Sequence, residues 1–261
     1  MTGTAVSSLR RFSPRSRARV RLVCFPHAGG AATAYRLWAL DAPWDVEVCA
    51  VQYPGRGDRF DEEPEATMDG LVSGLAADLL RERSPVATVL FGHSMGASVA
   101  YETARRLARL GLGPAALLVS GQPAPQLSRA GALHDAPDGE LLADLGRLEG
   151  TSRDVLEDQA LLAALLPAIR SDYRVIETYR PEAGVRLRIP VTVIRAADDP
   201  EVTAAEAAGW REVTDGPCDQ LVFPAGGHFY LHEQRERVLA ALVERARSIC
   251  ALTGSAWPLM P

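Results

Sequence analysis

The chain has 261 residues, 47% of them hydrophobic, with a formal charge of −5, which is enough apolar material for the core of one sizeable α/β domain and gives no reason to expect nucleic-acid binding. All 28 basic residues are arginine and none is lysine, so Schiff-base chemistry, a P-loop lysine and a Ser-Lys dyad are excluded. The four cysteines lack C-x-x-C spacing, so neither a metal site nor a disulfide framework is indicated, and no run approaches the roughly 20 apolar residues that span a bilayer.

Residues 1–19 carry Arg10, Arg11, Arg15, Arg17 and Arg19 with no acid and no following apolar stretch, and read as a flexible basic leader of a cytoplasmic protein rather than a signal peptide. The first strand-like run, Val20 to Phe25, opens the domain and leads into Phe25-Pro26-His27-Ala28-Gly29-Gly30. A second run, Val46 to Gln52, is followed by Tyr53-Pro54-Gly55-Arg56-Gly57-Asp58-Arg59, by itself a tight turn. Thr67 is placed to cap a helix running to about Arg83.

The third run, Val86 to Phe91, meets Gly92-His93-Ser94-Met95-Gly96 and then a helical stretch, Ala97 to Leu110, closed by Gly111 to Pro114. A G-x-S-x-G between strand and helix marks a serine on a sharp turn, with glycines where the helix folds back on the strand. Another strand-like run, Ala115 to Ser120, precedes about seventy residues without a strand pattern. Helical periodicity there falls near Asp138 to Leu148, Ser152 to Leu166 and Ala168 to Tyr179, and residues 121–189 are expected to form an inserted helical lid. Its leucine face, including Leu161, Leu162, Leu165 and Leu166, either packs on the sheet domain or lines an acyl pocket.

Strand periodicity returns at Pro190 to Arg195, followed by Ala196-Ala197-Asp198-Asp199-Pro200, and again at Gln220 to Phe223, followed by the glycine-rich loop that carries His228. The alternation of strands and helices predicts an α/β fold with a mostly parallel sheet covered on both faces. A neutral serine hydroxyl needs a histidine to take its proton and an acid to orient that histidine. The hydrolase order is Ser, acid, His, so Ser94, Asp199 and His228 are the candidate triad, with Asp198 the alternative acid. The oxyanion donors are expected to be the N–H groups of Met95 and Ala28, with Gly29 as the alternative to Ala28 and His27 shaping the pocket. The domain is expected to span 20–250, ending in a tail at 251–261, and a monomer is the default.

Together, Phe25-Pro26-His27-Ala28-Gly29-Gly30, Tyr53-Pro54-Gly55-Arg56-Gly57-Asp58-Arg59, Phe91-Gly92-His93-Ser94-Met95-Gly96-Ala97 and Gly226-Gly227-His228-Phe229 resemble the type II thioesterases of polyketide and nonribosomal peptide synthesis. The resemblance spans about residues 20 to 245 and implies the α/β-hydrolase fold with a mobile lid, in whose helix pattern Asp172 and Tyr179 fall. It further implies a stand-alone enzyme that removes stalled or aberrant acyl groups from the phosphopantetheine arm of acyl or peptidyl carrier proteins, without a metal or diffusible cofactor. The sequence departs from the family at Ala196, where a glycine is common. The choice of a thioester over an oxygen ester rests on the resemblance alone, so a carboxylesterase or lipase and an inactive carrier-binding scaffold stay open. Arg56 and Arg59 are candidates to meet an acidic carrier helix, or are solvated surface charges.

Overall fold

In a computed structural model, which describes residues 6–148, 150, 158–182, 184 and 186–253, the chain forms a seven-stranded sheet in the order β1-β3-β2-β4-β5-β6-β7. The strands are β1 (Leu9–Arg10), β2 (Val20–Phe25), β3 (Val46–Val51), β4 (Ala87–His93), β5 (Ala116–Ser120), β6 (Val191–Ala196) and β7 (Cys218–Phe223). β1 pairs antiparallel with β3, and every other neighbouring pair is parallel.

Alternation along the strands divides the core into two layers. Val23, Phe25 and Leu90 face the side covered by α2 (Met68–Arg81) and α3 (Met95–Arg109), while Leu22, Cys24, Val89 and Phe91 face α1 (Arg36–Asp41) and the C-terminal helix. Thr67 caps α2 by accepting the Gly70 N–H at 3.1 Å, as its position predicts.

The segment between β5 and β6 contains α4 (Asp138–Leu148) and α5 (Gln159–Thr178), packed together through Leu141, Leu145, Ile169 and Tyr173. The sequence predicts a break at Pro167 between two helices; instead α5 runs through it. The ~3 kcal/mol an interior proline costs is offset by burial of Ala168, Ile169, Tyr173 and Val175 on the turns that follow. Of the helix expected over Ser152 to Leu166, residues 152–157 lie outside the described residues. The chain continues through α6 (Ala204–Ala208), a short α7 (Tyr230–Glu233) and α8 (Arg235–Thr253).

The ends of the chain depart from expectation. The leader at 1–19 is expected to be flexible, yet Ser7 to Arg10 lie against the domain: Ser7 Oγ donates to Glu82, Leu9 pairs with Val51, Ser8 and Leu9 are buried, and the Ser8 N–H donates to Asp78 at 2.6 Å. Three of its arginines find acids or carbonyls, Arg10 with Asp58, Arg11 with Glu82 and Arg15 with the Ala42 carbonyl, so local charge is no measure of disorder here. At the other end, residues 251–253 continue α8 rather than beginning the tail, and 254–261 lie outside the described residues.

Register positions the site. Phe25 pairs with Gly92, His93 with Ser120, Ser120 with Ile194 and Ala196 with Phe223, so the carboxyl ends of β2, β4, β5, β6 and β7 lie side by side. The residues that follow these ends are Ala28, Ser94, Gly121, Asp199 and His228, gathered from across the sequence at one edge of the sheet, where open α/β sheets carry their sites.

Candidate active site

Ser94 is the one non-glycine residue with positive φ among those described, at φ 54° and ψ −128°. A strained serine between strand and helix projects its hydroxyl from the turn. The flanking glycines are required by backbone packing: a Cβ on Gly92 would sit 2.1 Å from the Gly96 carbonyl oxygen, and one on Gly96 would sit 2.2 Å from that of Phe25. The Ser94 N–H donates to the Ser120 carbonyl at 2.8 Å, pinning the turn to β5.

Asp199 and His228 are both buried, and the His228 Nδ1 lies 3.1 and 3.2 Å from the two carboxylate oxygens of Asp199. Asp198 does something else. Its exposed carboxylate accepts the Gly226 N–H at 3.1 Å and the Gly227 N–H at 3.0 Å, and these bonds, Gly227 first, hold its pKa below the usual carboxylate value. The two neighbouring acids therefore divide the work, one facing the imidazole and the other tying down the loop that carries it.

Ser94, Met95, Ala28 and His27 share a cavity of about 260 Å3 with Tyr173 and Phe229. Ser94 and His228 share a second cavity, of about 150 Å3, with Gly121, Gln122 and Leu148. Among the described residues, neither the Ala28 nor the Met95 N–H donates to an acceptor within the chain. The Gly29 N–H is occupied, donating to Asp172 at 2.7 Å. Of the two expected positions, Ala28 is the one whose N–H is unengaged.

Of the leucine face read either as packing or as an acyl pocket, Leu161, Leu162, Leu165 and Leu166 line neither cavity. Leu161 is exposed on α5, and Leu165 packs against the small cluster between α4 and α5. In the helix they lie about two to four turns before Tyr173 and Ile176, which do reach the cavity. The wall also carries polar groups the sequence gave no reason to single out. Arg147 bridges Asp144 and Glu201 at 2.7 Å each, and Tyr173 donates to Asp144 at 2.8 Å. Glu177 accepts the Leu133 and His134 N–H groups at 3.0 and 2.9 Å.

Four imidazoles surround the ring of Phe229, with centroids at 4.7 Å for His27, 5.2 Å for His93, 5.1 Å for His228 and 5.2 Å for His232. Burial pushes the His27 pKa down to about 3, and pushes that of His93 well below its ordinary value, with the neighbouring histidines adding to both. Behind His228 runs a polar chain in which His93 Nδ1 lies 2.9 Å from Ser120 Oγ, itself 2.6 Å from the Tyr230 hydroxyl. His93 occupies an x position of the G-x-S-x-G pattern; only the fold brings Ser120 and Tyr230 to it.

The arginines considered for a carrier surface are committed inward. Arg56 is buried in an ion pair with Asp172, and Arg59 donates to the Gln52 carbonyl at 2.8 Å and to Glu62 at 2.9 Å. Burial, the largest single influence, would lower the Arg56 pKa; the Asp172 charge, the hydrogen bonds to it and Tyr53 together outweigh it and raise it. Among the described residues no cluster of three His, Cys, Asp or Glu is arranged to hold a metal ion, all four cysteines are free, and no helix is long and apolar enough to cross a membrane.

The thioesterase domain family matches residues 20–246. A probable cadicidin biosynthesis thioesterase of Streptomyces griseus is 43% identical over 235 residues, which are 90% of this chain and 64% of that protein, so the chain spans less than two thirds of that relative. Thioesterase PikA5 of Streptomyces venezuelae is 41% identical over 87% of this chain and 80% of its own length. Among solved structures, the type II thioesterase BorB from the borrelidin biosynthetic cluster aligns with a TM-score of 0.83 and 46% identity over 90% of this chain and 96% of that one.

Proposed function

Since the chain belongs to the thioesterase domain family, we propose that Ser94, His228 and Asp199 are the triad with which it cleaves acyl thioesters held by carrier proteins. The Asp199–His228 pair at 3.1 Å, with Ser94 on a strained elbow in the same cavity, carries this reading. Asp199 holds the imidazole with Nδ1 protonated, so that the opposite nitrogen takes the Ser94 proton as the hydroxyl attacks the thioester carbonyl. Negative charge develops on the carbonyl oxygen, which the Met95 and Ala28 N–H groups receive. The pantetheine thiol leaves with the proton from His228, and a water deprotonated by His228 then cleaves the acyl-serine, regenerating the hydroxyl.

The substrate brings its own phosphopantetheine arm, and the mechanism uses side chains and backbone only. Relatives named as a cadicidin biosynthesis thioesterase and as type II thioesterases of a borrelidin biosynthetic cluster and of a yersiniabactin NRPS/PKS pathway support a stand-alone editing role on a polyketide or nonribosomal peptide synthase, with acyl or peptidyl carrier domains as the partners. Free cysteines suit a reducing cytoplasm.

The test is hydrolysis of a panel of short acyl groups on carrier proteins beside the matching oxygen esters. Preference for the carrier thioesters, lost in Ser94→Ala together with labelling by a fluorophosphonate, is the expected result. Efficient turnover of oxygen esters with none of the carrier thioesters would overturn the substrate assignment, and undiminished thioester turnover in Ser94→Ala would overturn the nucleophile.

A further inference from the structure

The loop from Pro26 to Ala32 carries Ala28 and two glycines, one of them, Gly29, at φ +76°, and has little stiffness of its own. Four of its backbone groups are held from outside. Tyr53 donates its hydroxyl to the Pro26 carbonyl at 3.1 Å, Arg56 donates to the Gly30 carbonyl at 3.3 Å, and the Ala32 N–H donates to Gln52 Oε1 at 3.1 Å. The fourth is the Gly29 N–H, which donates to Asp172 Oδ2 at 2.7 Å.

Asp172 belongs to α5, in the segment between β5 and β6, whereas the other three anchors belong to the stretch after β3. Its second oxygen accepts Arg56 Nη2 at 2.8 Å, and Arg56 Nη1 bonds Oδ2 as well, a bidentate pair between two buried side chains. Arg56 in turn donates to the Pro54 carbonyl at 3.3 Å and lies over the Tyr53 ring at 5.4 Å. α5 also touches the loop directly, since a Cβ on Gly29 would meet Ile169 Cγ1 at 3.3 Å.

We propose that Asp172 is a positioning residue for the oxyanion hole, fixing the Ala28 N–H through Gly29 and Arg56, so that the hole is complete only while helix α5 is seated on the loop. This rests on the Ser94 reading above. The next residue along α5, Tyr173, and Ile176 line the cavity beside Ser94. An acyl group that displaces α5 therefore spoils the hole, and acyl fit is read as kcat. A shift of about 1 Å in a reacting group is enough for about a 100-fold loss.

The experiment uses the full chain with Asp172→Ala and Asp172→Asn, an acylated carrier protein, and a phenylboronic acid, whose tetrahedral serine adduct places an oxygen in the hole. Both variants are expected to lose about 10- to 100-fold in kcat per active site, titrated with a fluorophosphonate, with KM within about twofold. Boronate affinity is expected to fall in parallel. A purely structural role would lower the melting temperature and the titrated fraction while leaving kcat per site and boronate affinity unchanged, and that result in either folded variant overturns the proposal. If the alanine variant does not fold, the asparagine variant decides. Ser94→Ala is the control: hydrolysis surviving there refutes the nucleophile, whereas an inactive Ser94→Ala beside an unaffected Asp172→Asn refutes only the coupling.

Discussion

At the scale of single residues, Asp198 and Asp199 are adjacent in the sequence but have different partners. Asp199 faces His228 and also accepts the Glu201 N–H at 2.9 Å, while Asp198 holds two glycine N–H groups. Asp199→Asn is therefore expected to cost about 10⁴-fold in kcat with little change in KM, by favouring the wrong imidazole tautomer. Asp198→Asn keeps an acceptor for the loop and is expected to cost less than about tenfold, a difference steady-state kinetics on one substrate resolves. The buried histidines give a second prediction. His27 and His93 are neutral when folded, with pKa values pushed down, but take up a proton near pH 6.5 when unfolded. Stability from this source is present above pH 6.5 and is lost as pH falls toward the folded values. The slope is at most about 1.4 kcal/mol per pH unit for each group. Urea unfolding at pH 7 and pH 5 measures it, and His27→Gln should flatten the dependence by about one proton.

At the scale of elements, the strands and the helices around the nucleophile were legible because burial on both faces leaves continuous apolar runs. Val20–Phe25 and Asp138–Leu148 have the bounds their patterns predict. β1 was not legible: two residues, of which Leu9 alone supplies a large buried side chain, make no pattern, and their strand exists because the edge of β3 is there to pair with. The same contacts tie Arg10 to Asp58 in the loop after β3 and give the Gln52 N–H its acceptor, the Ser8 carbonyl, at 2.7 Å. Deletion of residues 1–12 is expected to destabilise the protein by about 2–4 kcal/mol, from the burial of Leu9 and the lost pairing. A lowered urea midpoint checks this, and an unchanged one would show that the edge strand contributes nothing. Pro167 misled for the complementary reason, since the rule that proline ends a helix is local and the packing of the turns after it is not.

At the scale of the molecule, the site is a product of sheet register. Ser94, Asp199 and His228 could be proposed from sequence because each follows a strand end, and parallel pairing brings strand ends together. The cavity walls could not: Gln122, Asp144, the pair Tyr173 and Glu177, and Glu201 come from four segments whose meeting depends on how α4 and α5 pack over the sheet, and the leucine face on α5 left packing and pocket both readable. Arg56 was legible as a motif residue, but its partner lies 116 positions away. The proposed chemistry begins with one covalent step at one oxygen, the Ser94 hydroxyl. Release of the acyl group from an acylated carrier protein, followed by mass spectrometry for wild type and Ser94→Ala, tests that step most directly. The prediction is a fall of at least about 10⁴-fold in the variant, not deepened by adding His228→Ala; release at the wild-type rate by a folded Ser94→Ala protein would contradict it.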